Sequence, residues 1–289
     1  MLRIPDSRIE YFIGEDVPYI DLTCEVLGMG AARGEAEFFT REACVLAGVS
    51  IAARIAEQLG CEAVRPRCRV DGDRLEAGEA FFALRGSAAD LHAAWKVCLN
   101  VFDHLSAVAT KTRAMVDAAH STNPRCEVLT TRKSMPGVKD LLTSAVMAGG
   151  AFPHRLGLSE TVLVFEQHLE FMGGFDAFIE HLPEIKARCI EKKLFVEASA
   201  EQARALARQS ATGQGVDGIQ LDKIPVSELA ALVSDLREAD PRLTLIAAGG
   251  INPENAGAYA ATGVDGLATT APFSAKPLDM SARMRQVVQ

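Results

Sequence analysis

The segment Leu243-Thr-Leu-Ile-Ala-Ala-Gly-Gly-Ile-Asn-Pro-Glu-Asn255 decides the fold, because it has the pattern of a buried strand that turns directly into a helix. Its apolar run is short, as is typical of a strand covered on both faces in a parallel sheet. Gly249 and Gly250 follow and permit a tight turn with backbone N–H groups facing a ligand. Asn252 suits a helix N-cap and Pro253 the first helical position, so a helix is predicted from Pro253.

Six further apolar runs in the second half of the chain repeat this pattern, and most of them are separated by stretches of helical periodicity. Repeated strand and helix units without a reversal signal predict a parallel sheet, and about seven in a row favour a closed (β/α) barrel over an open sheet. The predicted strands are residues 126–131, 151–154, 161–165, 193–197, 218–222, 243–247 and 264–268.

The first half of the chain has a different rhythm. Residues 35–83 contain short apolar runs broken by turn residues and one helical stretch, which predicts an α+β domain. Residues 87–120 then carry apolar side chains at helical spacing without Pro or Gly, so one long helix or two should lead into the second half. A length of 289 residues allows two domains, or one barrel with an appendage.

The composition limits the classes of function. The chain has 30 Lys and Arg against 38 Asp and Glu, a formal charge of −8, and this balance argues against a nucleic-acid partner. No apolar run approaches the roughly 18 residues of a membrane span, so no membrane partner is expected. The N-terminal Met-Leu-Arg-Ile-Pro-Asp-Ser has no apolar core of a secretory signal, which predicts a cytoplasmic protein.

Seven cysteines are present, and none of them forms a CxxC pair. An odd number without paired spacing disfavours a disulfide framework and a zinc site. Most of these cysteines have apolar neighbours, so they are expected to be ordinary buried residues.

Positive charge is nevertheless concentrated in one region. Arg132, Lys133, Lys139, His154 and Arg155 fall within twenty-four residues and lie beside glycines. An anionic small molecule would bind such a cluster, because a single small anion needs only a basic pocket. Because the carboxyl ends of barrel strands converge on one mouth, several polar residues should become neighbours of this cluster. They are Glu197, Asp222, Gly249 and Gly250, with Thr269 and Thr270 after the last strand.

Over nearly its whole length the chain resembles the quinolinate phosphoribosyltransferase (nicotinate-nucleotide pyrophosphorylase) family, and more narrowly a branch of it associated with molybdenum-transport genes. The matching stretches are Glu15-Asp-Val-Pro-Tyr-Ile-Asp-Leu-Thr23, Leu99-Asn-Val-Phe-Asp-His-Leu-Ser-Ala-Val-Ala-Thr110, Thr131-Arg-Lys-Ser-Met-Pro-Gly137, Gly149-Gly150, His154-Arg-Leu-Gly-Leu-Ser159, Leu221-Asp222, Gly249-Gly-Ile251 and Gly263-Val-Asp265.

The resemblance implies an α/β fold of type II phosphoribosyltransferase architecture. An N-terminal α/β sandwich domain, residues 1–110, would accompany an incomplete, about seven-stranded α/β barrel, residues 111–272, and residues 273–289 would pack back on the first domain. The family implies a homodimer with a shared active site, with a higher homo-oligomer left open. Its reaction transfers phosphoribose from phosphoribosyl pyrophosphate (PRPP), with Mg²⁺, to a pyridine dicarboxylate and releases pyrophosphate and carbon dioxide.

Residue roles follow from this resemblance and from the chemistry. Breaking the bond between ribose C1 and pyrophosphate builds oxocarbenium character on the sugar and negative charge on the leaving group. The resemblance implies that Glu197 and Asp222 bind the ribose hydroxyls, directly or through Mg²⁺, and that Lys133 contacts the pyrophosphate. The remaining roles are acceptor binding by Arg132, His154 and Arg155, and 5′-phosphate binding by Gly249, Gly250, Thr269 and Thr270.

The chain departs from the family pattern where the acceptor should bind. Lys96 replaces an arginine that the family contributes across the dimer, and Phe165 replaces a lysine. Removing one partner of a buried charge pair costs about 2–5 kcal/mol, so a doubly charged pyridine should bind poorly. Lys223 stands where the family usually has Asn, and it could restore the charge from another angle. Phe195 and Thr130 replace two family acids.

The predicted function is therefore PRPP-dependent phosphoribosyl transfer to an aromatic or heterocyclic carboxylate other than quinolinate, with decarboxylation left open. Three alternatives remain at this point. The chain could be a true quinolinate phosphoribosyltransferase that makes nicotinate mononucleotide, or a non-catalytic paralogue that binds ligand. Lys133 could also form a Schiff base in an aldolase-like barrel.

Overall fold

A computed structural model of the protein describes residues 2–287. The chain divides into two compact units. The first contains the described residues up to Arg113, the segment Met135–Gly150 and the chain from Pro272 onward, and the second contains Ala114–Ser134 and Ala151–Ala271. The sequence analysis assigned residues 111–272 to the barrel domain; in the structure, Met135–Gly150 lies within the first unit.

The elements are numbered in chain order. The strands are β1 (Arg33–Phe39), β2 (Cys44–Val45), β3 (Glu62–Ala63), β4 (Arg74–Leu75), β5 (Ala80–Ser87), β6 (Glu127–Thr130), β7 (Phe152–Pro153), β8 (Val162–Val164), β9 (Leu194–Ala198), β10 (Gly218–Asp222), β11 (Thr244–Ala248), β12 (Gly266–Thr269) and β13 (Ser281–Gln286). The α-helices are α1 (Asp6–Asp16), α2 (Leu22–Leu27), α3 (Val49–Gln58), α4 (Ala88–His120), α5 (Lys139–Ala148), α6 (Glu166–Met172), α7 (Phe175–Arg188), α8 (Ala200–Ser210), α9 (Val226–Ala239) and α10 (Ala256–Ala260), with short 3₁₀ helices at Arg65–Arg67 and Ala271–Ser274.

The first unit is built on an antiparallel sheet in the order β13-β1-β5-β3. The C-terminal strand β13 pairs with β1 along its whole length, from Gly34 opposite Gln286 to Phe39 opposite Ser281. Helix α4 is continuous, as one of the two sequence-based interpretations had it, and its Phe102 packs edge-on against Phe38, Phe81 and Phe82 with ring centroids 4.9–5.8 Å apart. Edge-on contacts of this kind add to the free energy gained by burying the rings.

A buried carboxylate on β1 binds arginines from three other elements of this unit. Glu35 on β1 has a side chain only 5% exposed, and it accepts hydrogen bonds from Arg67, Arg85 and Arg285. Arg85 and Arg285 lie directly opposite Glu35 on the two neighbouring strands. The Arg67 guanidinium, with the other two arginines, holds the pKa of Glu35 at about 2.

We predict that Glu35→Gln lowers the free energy of unfolding at pH 7 by about 2 kcal/mol. Breaking a fully buried pair costs about 3–5 kcal/mol, but Arg85 and Arg285 are half or more exposed and can be rehydrated. A depressed carboxyl pKa contributes stability above its unfolded value of 4.5, and this is lost as the pH falls toward 2. Urea denaturation should therefore show the two proteins converging at low pH.

Glu37→Gln is the matched control, because Glu37 also pairs with Arg67 (2.6 Å) but its side chain is 37% exposed. An exposed pair contributes less than about 1 kcal/mol. Equal losses in the two variants would contradict the role given to Glu35.

The second unit contains a seven-stranded parallel sheet in the order β7-β6-β12-β11-β10-β9-β8. Neighbouring strands pair in parallel throughout, and β7 and β8 stand at the two ends of the order without pairing with each other. The sheet is therefore an incomplete barrel, and each of the seven sequence-predicted strands is confirmed within one or two residues. The loops that follow the carboxyl ends of these strands lie at the same edge.

One local prediction is wrong. The helix expected to begin at Pro253 begins only at Ala256, and Pro253 and its neighbours form a turn. Asn252 caps that turn instead, since its side-chain oxygen accepts from the N–H groups of Glu254 and Asn255. Asn255 in turn bonds the backbone N–H of Asn252 and the carbonyl of Gly250. Two asparagine side chains thus compete with helix formation by bonding the backbone locally.

All seven cysteines are free thiols, and five of them are buried, as expected; Cys68 and Cys189 are partly exposed. Within residues 2–287, no helix combines the length and the apolar character that a membrane span requires.

Candidate active site

The second unit contains a cavity of about 780 Å³ at the carboxyl ends of its strands. The cavity brings together all of the site residues predicted from the sequence in that unit. They are Arg132, Lys133, His154, Arg155, Phe165, Glu197, Asp222, Lys223, Gly249, Gly250, Thr269 and Thr270.

Two carboxylates form the acidic side of the cavity. Glu197 points from β9 and Asp222 from the end of the adjacent strand β10. Burial and the nearby Asp222 raise the pKa of Glu197, while a hydrogen bond from the Gln220 amide and the charges of Lys133 and Lys223 oppose the shift. Glu197 and Asp222 therefore carry like charges, and a bound cation or an electron-poor sugar would reduce the repulsion between them.

Lys223 is held beside this acid pair by an unusual backbone conformation. Its φ of 55° makes it the one non-glycine residue with a positive φ in the described chain. Its N–H donates to the carbonyl of Ala248 (2.8 Å), and its Nζ lies 3.3 Å from Oδ2 of Asp222. Lys223 is thus the ion-pair partner of Asp222, with a side chain 81% exposed.

The basic side of the cavity is formed by the loops after β6 and β7. Arg132 and Lys133 are exposed, and the Lys133 N–H donates to the Thr131 hydroxyl (3.3 Å). His154 and Arg155 follow β7, where the His154 N–H extends the pairing by donating to the Thr130 carbonyl (2.9 Å). Burial, reinforced by Arg155, lowers the pKa of His154, which leaves this imidazole neutral at pH 7.

Arg155 is buried, although it carries a charge. It is 9% exposed, and its guanidinium donates to the Thr161 carbonyl (3.3 Å). The Phe165 ring lies against the guanidinium, 5.7 Å from centroid to Cζ. Burial and the charge of Arg132 lower the pKa of Arg155. An anion bound here would stabilise the charged guanidinium by replacing the water that burial has removed from it.

The loops after β11 and β12 form a third wall with few side chains. Gly249 and Gly250 have φ of 93° and 72°. Thr269 is buried, and its hydroxyl donates to the Ile251 carbonyl (2.7 Å) and accepts from the Ala271 N–H (3.0 Å), whereas Thr270 is exposed. Backbone exposed by two consecutive left-handed glycines suits a phosphate group.

Two of the cationic residues singled out from the sequence, Lys96 and Lys139, belong to the first unit. Lys96 is exposed, and its Nζ lies 4.8 Å from the centroid of the Trp95 ring. Lys139 begins α5. Neither is among the residues that line the cavity in the described chain.

Sequence reasoning missed Gln220, the buried residue whose amide bonds Glu197. A signal was present, because Gln220 is the polar member of the apolar run Ile219-Gln-Leu221, and a buried polar side chain needs a partner. His168 is not among the described residues that line the cavity; its Nδ1 accepts the Phe165 N–H (2.9 Å).

Comparison with known proteins identifies the family. Residues 21–106 match the N-terminal domain, and residues 108–283 the C-terminal domain, of quinolinate phosphoribosyl transferases. The chain therefore belongs to the quinolinate phosphoribosyltransferase family, a family of pentosyltransferase enzymes, as its sequence predicted.

Individual relatives agree. The chain is 40% identical to a Rhodobacter capsulatus protein named "Putative pyrophosphorylase ModD", over 89% of this chain and 96% of that one. It is 34% identical to the nicotinate-nucleotide pyrophosphorylase (carboxylating) of Mycobacterium leprae, over 92% and 91%. Among solved structures, NadC from Streptococcus pyogenes superposes with a TM-score of 0.87 at 25% identity, covering 98% of this chain and 97% of that one.

We predict that Gly249→Ala weakens the binding of PRPP in the cavity more than Gly250→Ala does. A Cβ on Gly249 would lie 2.5 Å from Cγ and 2.9 Å from the backbone N of Lys223, whereas a Cβ on Gly250 meets nothing within 4 Å. Both variants carry the strain of a positive φ, about 1 kcal/mol, so Gly250→Ala is the matched control. Titration calorimetry with PRPP should show at least a tenfold weaker affinity for Gly249→Ala; equal affinities would contradict the geometry.

Proposed function

We propose that the protein transfers the phosphoribosyl group of PRPP to an aromatic or heterocyclic carboxylate other than quinolinate and releases pyrophosphate. One observation carries the proposal. A single cavity holds an acid pair, Glu197 and Asp222, together with the cations Arg132 and Lys133 and a glycine loop for phosphate. This arrangement suits a reaction that separates positive charge on a sugar from negative charge on a leaving group.

The proposed roles follow from that charge separation. Glu197 and Asp222 would accept hydrogen bonds from the ribose hydroxyls and stabilise the oxocarbenium character at C1. Lys133 would hold the pyrophosphate as the bond from C1 to oxygen breaks, and the backbone of Gly249 and Gly250 would hold the 5′-phosphate. Arg132 and Arg155 would bind the acceptor carboxylate, since a guanidinium gives direction as well as charge.

The acid pair also fits Mg²⁺ bound together with PRPP. Glu197 and Asp222 supply the hard oxygen donors that Mg²⁺ prefers, and a cation would relieve the repulsion that helps to raise the pKa of Glu197. Bound there with PRPP, Mg²⁺ would supply positive charge to the pyrophosphate.

The proposal includes a homodimer whose subunits share the active site, and a cytoplasmic location. Family resemblance supports the dimer, in which Lys96 would act on the partner's acceptor. The apolar surface around α2 also supports it, since Tyr19 is 92% and Val26 is 75% exposed. Exposed apolar groups of this size are typical of a protein interface.

Turnover is tested by pyrophosphate release from PRPP and Mg²⁺ across a panel of pyridine and related acids. We expect release with at least one acid, and a 10²–10³-fold lower kcat/KM for PRPP in Lys133→Ala, the usual cost of one charge-stabilising group. Lys193→Ala is the matched control, because Lys193 is an exposed lysine just before β9, at the opposite end of the strands.

Each contrary outcome has a distinct meaning. No release with any acid, together with PRPP binding in calorimetry, would contradict the enzymatic proposal and favour a ligand-binding protein. Quinolinate as the best acceptor would contradict the altered acceptor and favour a nicotinate mononucleotide synthase.

A second prediction follows from the pKa of Glu197. A carboxyl whose pKa is raised by folding binds more protons in the folded state, so its contribution to stability falls as the pH rises through that pKa. Glu197→Gln removes the charge, and the new amide oxygen can still accept from Gln220. We expect this variant to melt above the wild type at pH 7.5, to lose that advantage near pH 3.5, and to lose activity. A lower melting temperature at pH 7.5 would contradict the repulsion between Glu197 and Asp222.

A further inference from the structure

We propose that the acceptor carries one carboxylate only, and that the position where a second carboxylate would sit is an apolar wall. The acceptor class is then a nitrogen heteroaromatic monocarboxylate. The inference rests on the proposed function and names the substrate class of the same site.

The cavity offers the acceptor one carboxylate clamp. Arg132 and Arg155 both line the cavity, and the charge of Arg132 helps burial to lower the pKa of Arg155, as expected of two guanidinium groups in one region. Arg155 is held by the Thr161 carbonyl and is covered on one side by Phe165. A single carboxylate between the two arginines would satisfy both, because one guanidinium can bind both carboxylate oxygens.

The other positive groups of the cavity are committed elsewhere. Lys223 pairs with Asp222 at 3.3 Å, and Lys133 lies near enough to Glu197 for its charge to oppose the rise in the pKa of that carboxyl. His154 is half-buried beside Arg155 and is neutral at pH 7, so it can donate one hydrogen bond but brings no second positive charge. Among the described residues that line the cavity, only the arginine clamp is left to bind an acceptor carboxylate.

One wall of the cavity is apolar, and Leu163, Phe165, Ala248 and Ala268 line it. Leu163 and the two alanines belong to one packed cluster with the buried Phe195 and Ile246, which do not themselves line the cavity, and Phe165 packs against that cluster. His154 meets Phe195 edge-on, with ring centroids 6.4 Å apart. A second carboxylate placed against this surface would lose its hydration and find no charged group among the residues of the wall, which disfavours its binding there.

The backbone leaves room for Phe165 in this wall and for Phe195 beneath it. Gly218 on β10 is in register with Phe195 on β9, and a Cβ at Gly218 would clash with that ring. The Phe165 N–H donates to Nδ1 of His168, and the two rings stack with centroids 5.8 Å apart. The Phe165 ring is therefore held in place at the cavity, and the Phe195 ring is held in the packed cluster beneath it.

A monocarboxylate also simplifies the reaction. The lone pair of the ring nitrogen forms the bond to ribose C1, the bond from C1 to the pyrophosphate oxygen breaks, and its electron pair leaves with pyrophosphate. The nitrogen becomes cationic in the ring, and the single carboxylate stays on the product in its arginine clamp. No carbon dioxide is released.

The test is titration calorimetry, with and without inorganic pyrophosphate, of quinolinate, nicotinate, isonicotinate, picolinate and unsubstituted pyridine. We expect the wild type to bind at least one monocarboxylate tenfold or more tightly than quinolinate, and pyridine without measurable affinity. Phe165→Lys should bring quinolinate closer to the best monocarboxylate by tenfold or more, because it adds a cation at the wall. Phe165→Leu is the matched control and should keep the wild-type order.

Quinolinate binding as tightly as every monocarboxylate, or an unchanged order in Phe165→Lys, would overturn the inference. Phosphoribosyl transfer itself is judged separately by pyrophosphate release. An enzyme that turns over quinolinate best, with carbon dioxide as a product, would remain a phosphoribosyltransferase but would contradict the monocarboxylate. An enzyme that binds no acid of the panel and releases no pyrophosphate would contradict both.

Discussion

The site depends on two carboxylates that are held side by side on neighbouring strands. Burial, and after it the charge of Asp222, raises the pKa of Glu197, so keeping both carboxylates ionised is costly. The surrounding groups offset this cost in different ways. The Gln220 amide bonds Glu197, and Lys223 bonds Asp222 from a left-handed backbone that places its stem beside Gly249. The acid pair, Lys223 and the glycine loop are therefore in mutual contact, and a change in any of them should affect the others.

The chemistry proposed for this acid pair also requires positive charge on the opposite side of the cavity. The basic groups come from the other side of the seven-stranded sheet, after β6 and β7, so the order of the strands separates the acids from the cations across one cavity. A reaction that creates a cationic sugar and an anionic leaving group requires this separation. Family membership and the charge distribution thus point to the same type of chemistry.

Much of this could be predicted from the sequence. The seven strands of the incomplete barrel were predicted mostly from continuous apolar runs, which are typical of strands covered on both faces of a parallel sheet. The convergence of strand ends correctly brought residues as distant as Arg132 and Asp222 into one cavity. Two features could not be predicted. The start of α10 depended on a competition between helix formation and asparagine side chains, which a residue preference does not resolve. The pairing of Lys223 with Asp222 depended on a positive φ, which is rare for a lysine and is not indicated by its sequence.

The central claim is that PRPP donates its phosphoribosyl group to a nitrogen heteroaromatic carboxylate. The most direct measurement is the mass of the product formed from PRPP, Mg²⁺ and a ¹³C-carboxyl-labelled acceptor. The account predicts a nucleotide with the mass of the acceptor plus one phosphoribosyl group, still carrying the labelled carboxylate. Recovery of PRPP and acceptor unchanged, with every candidate acid, would contradict it.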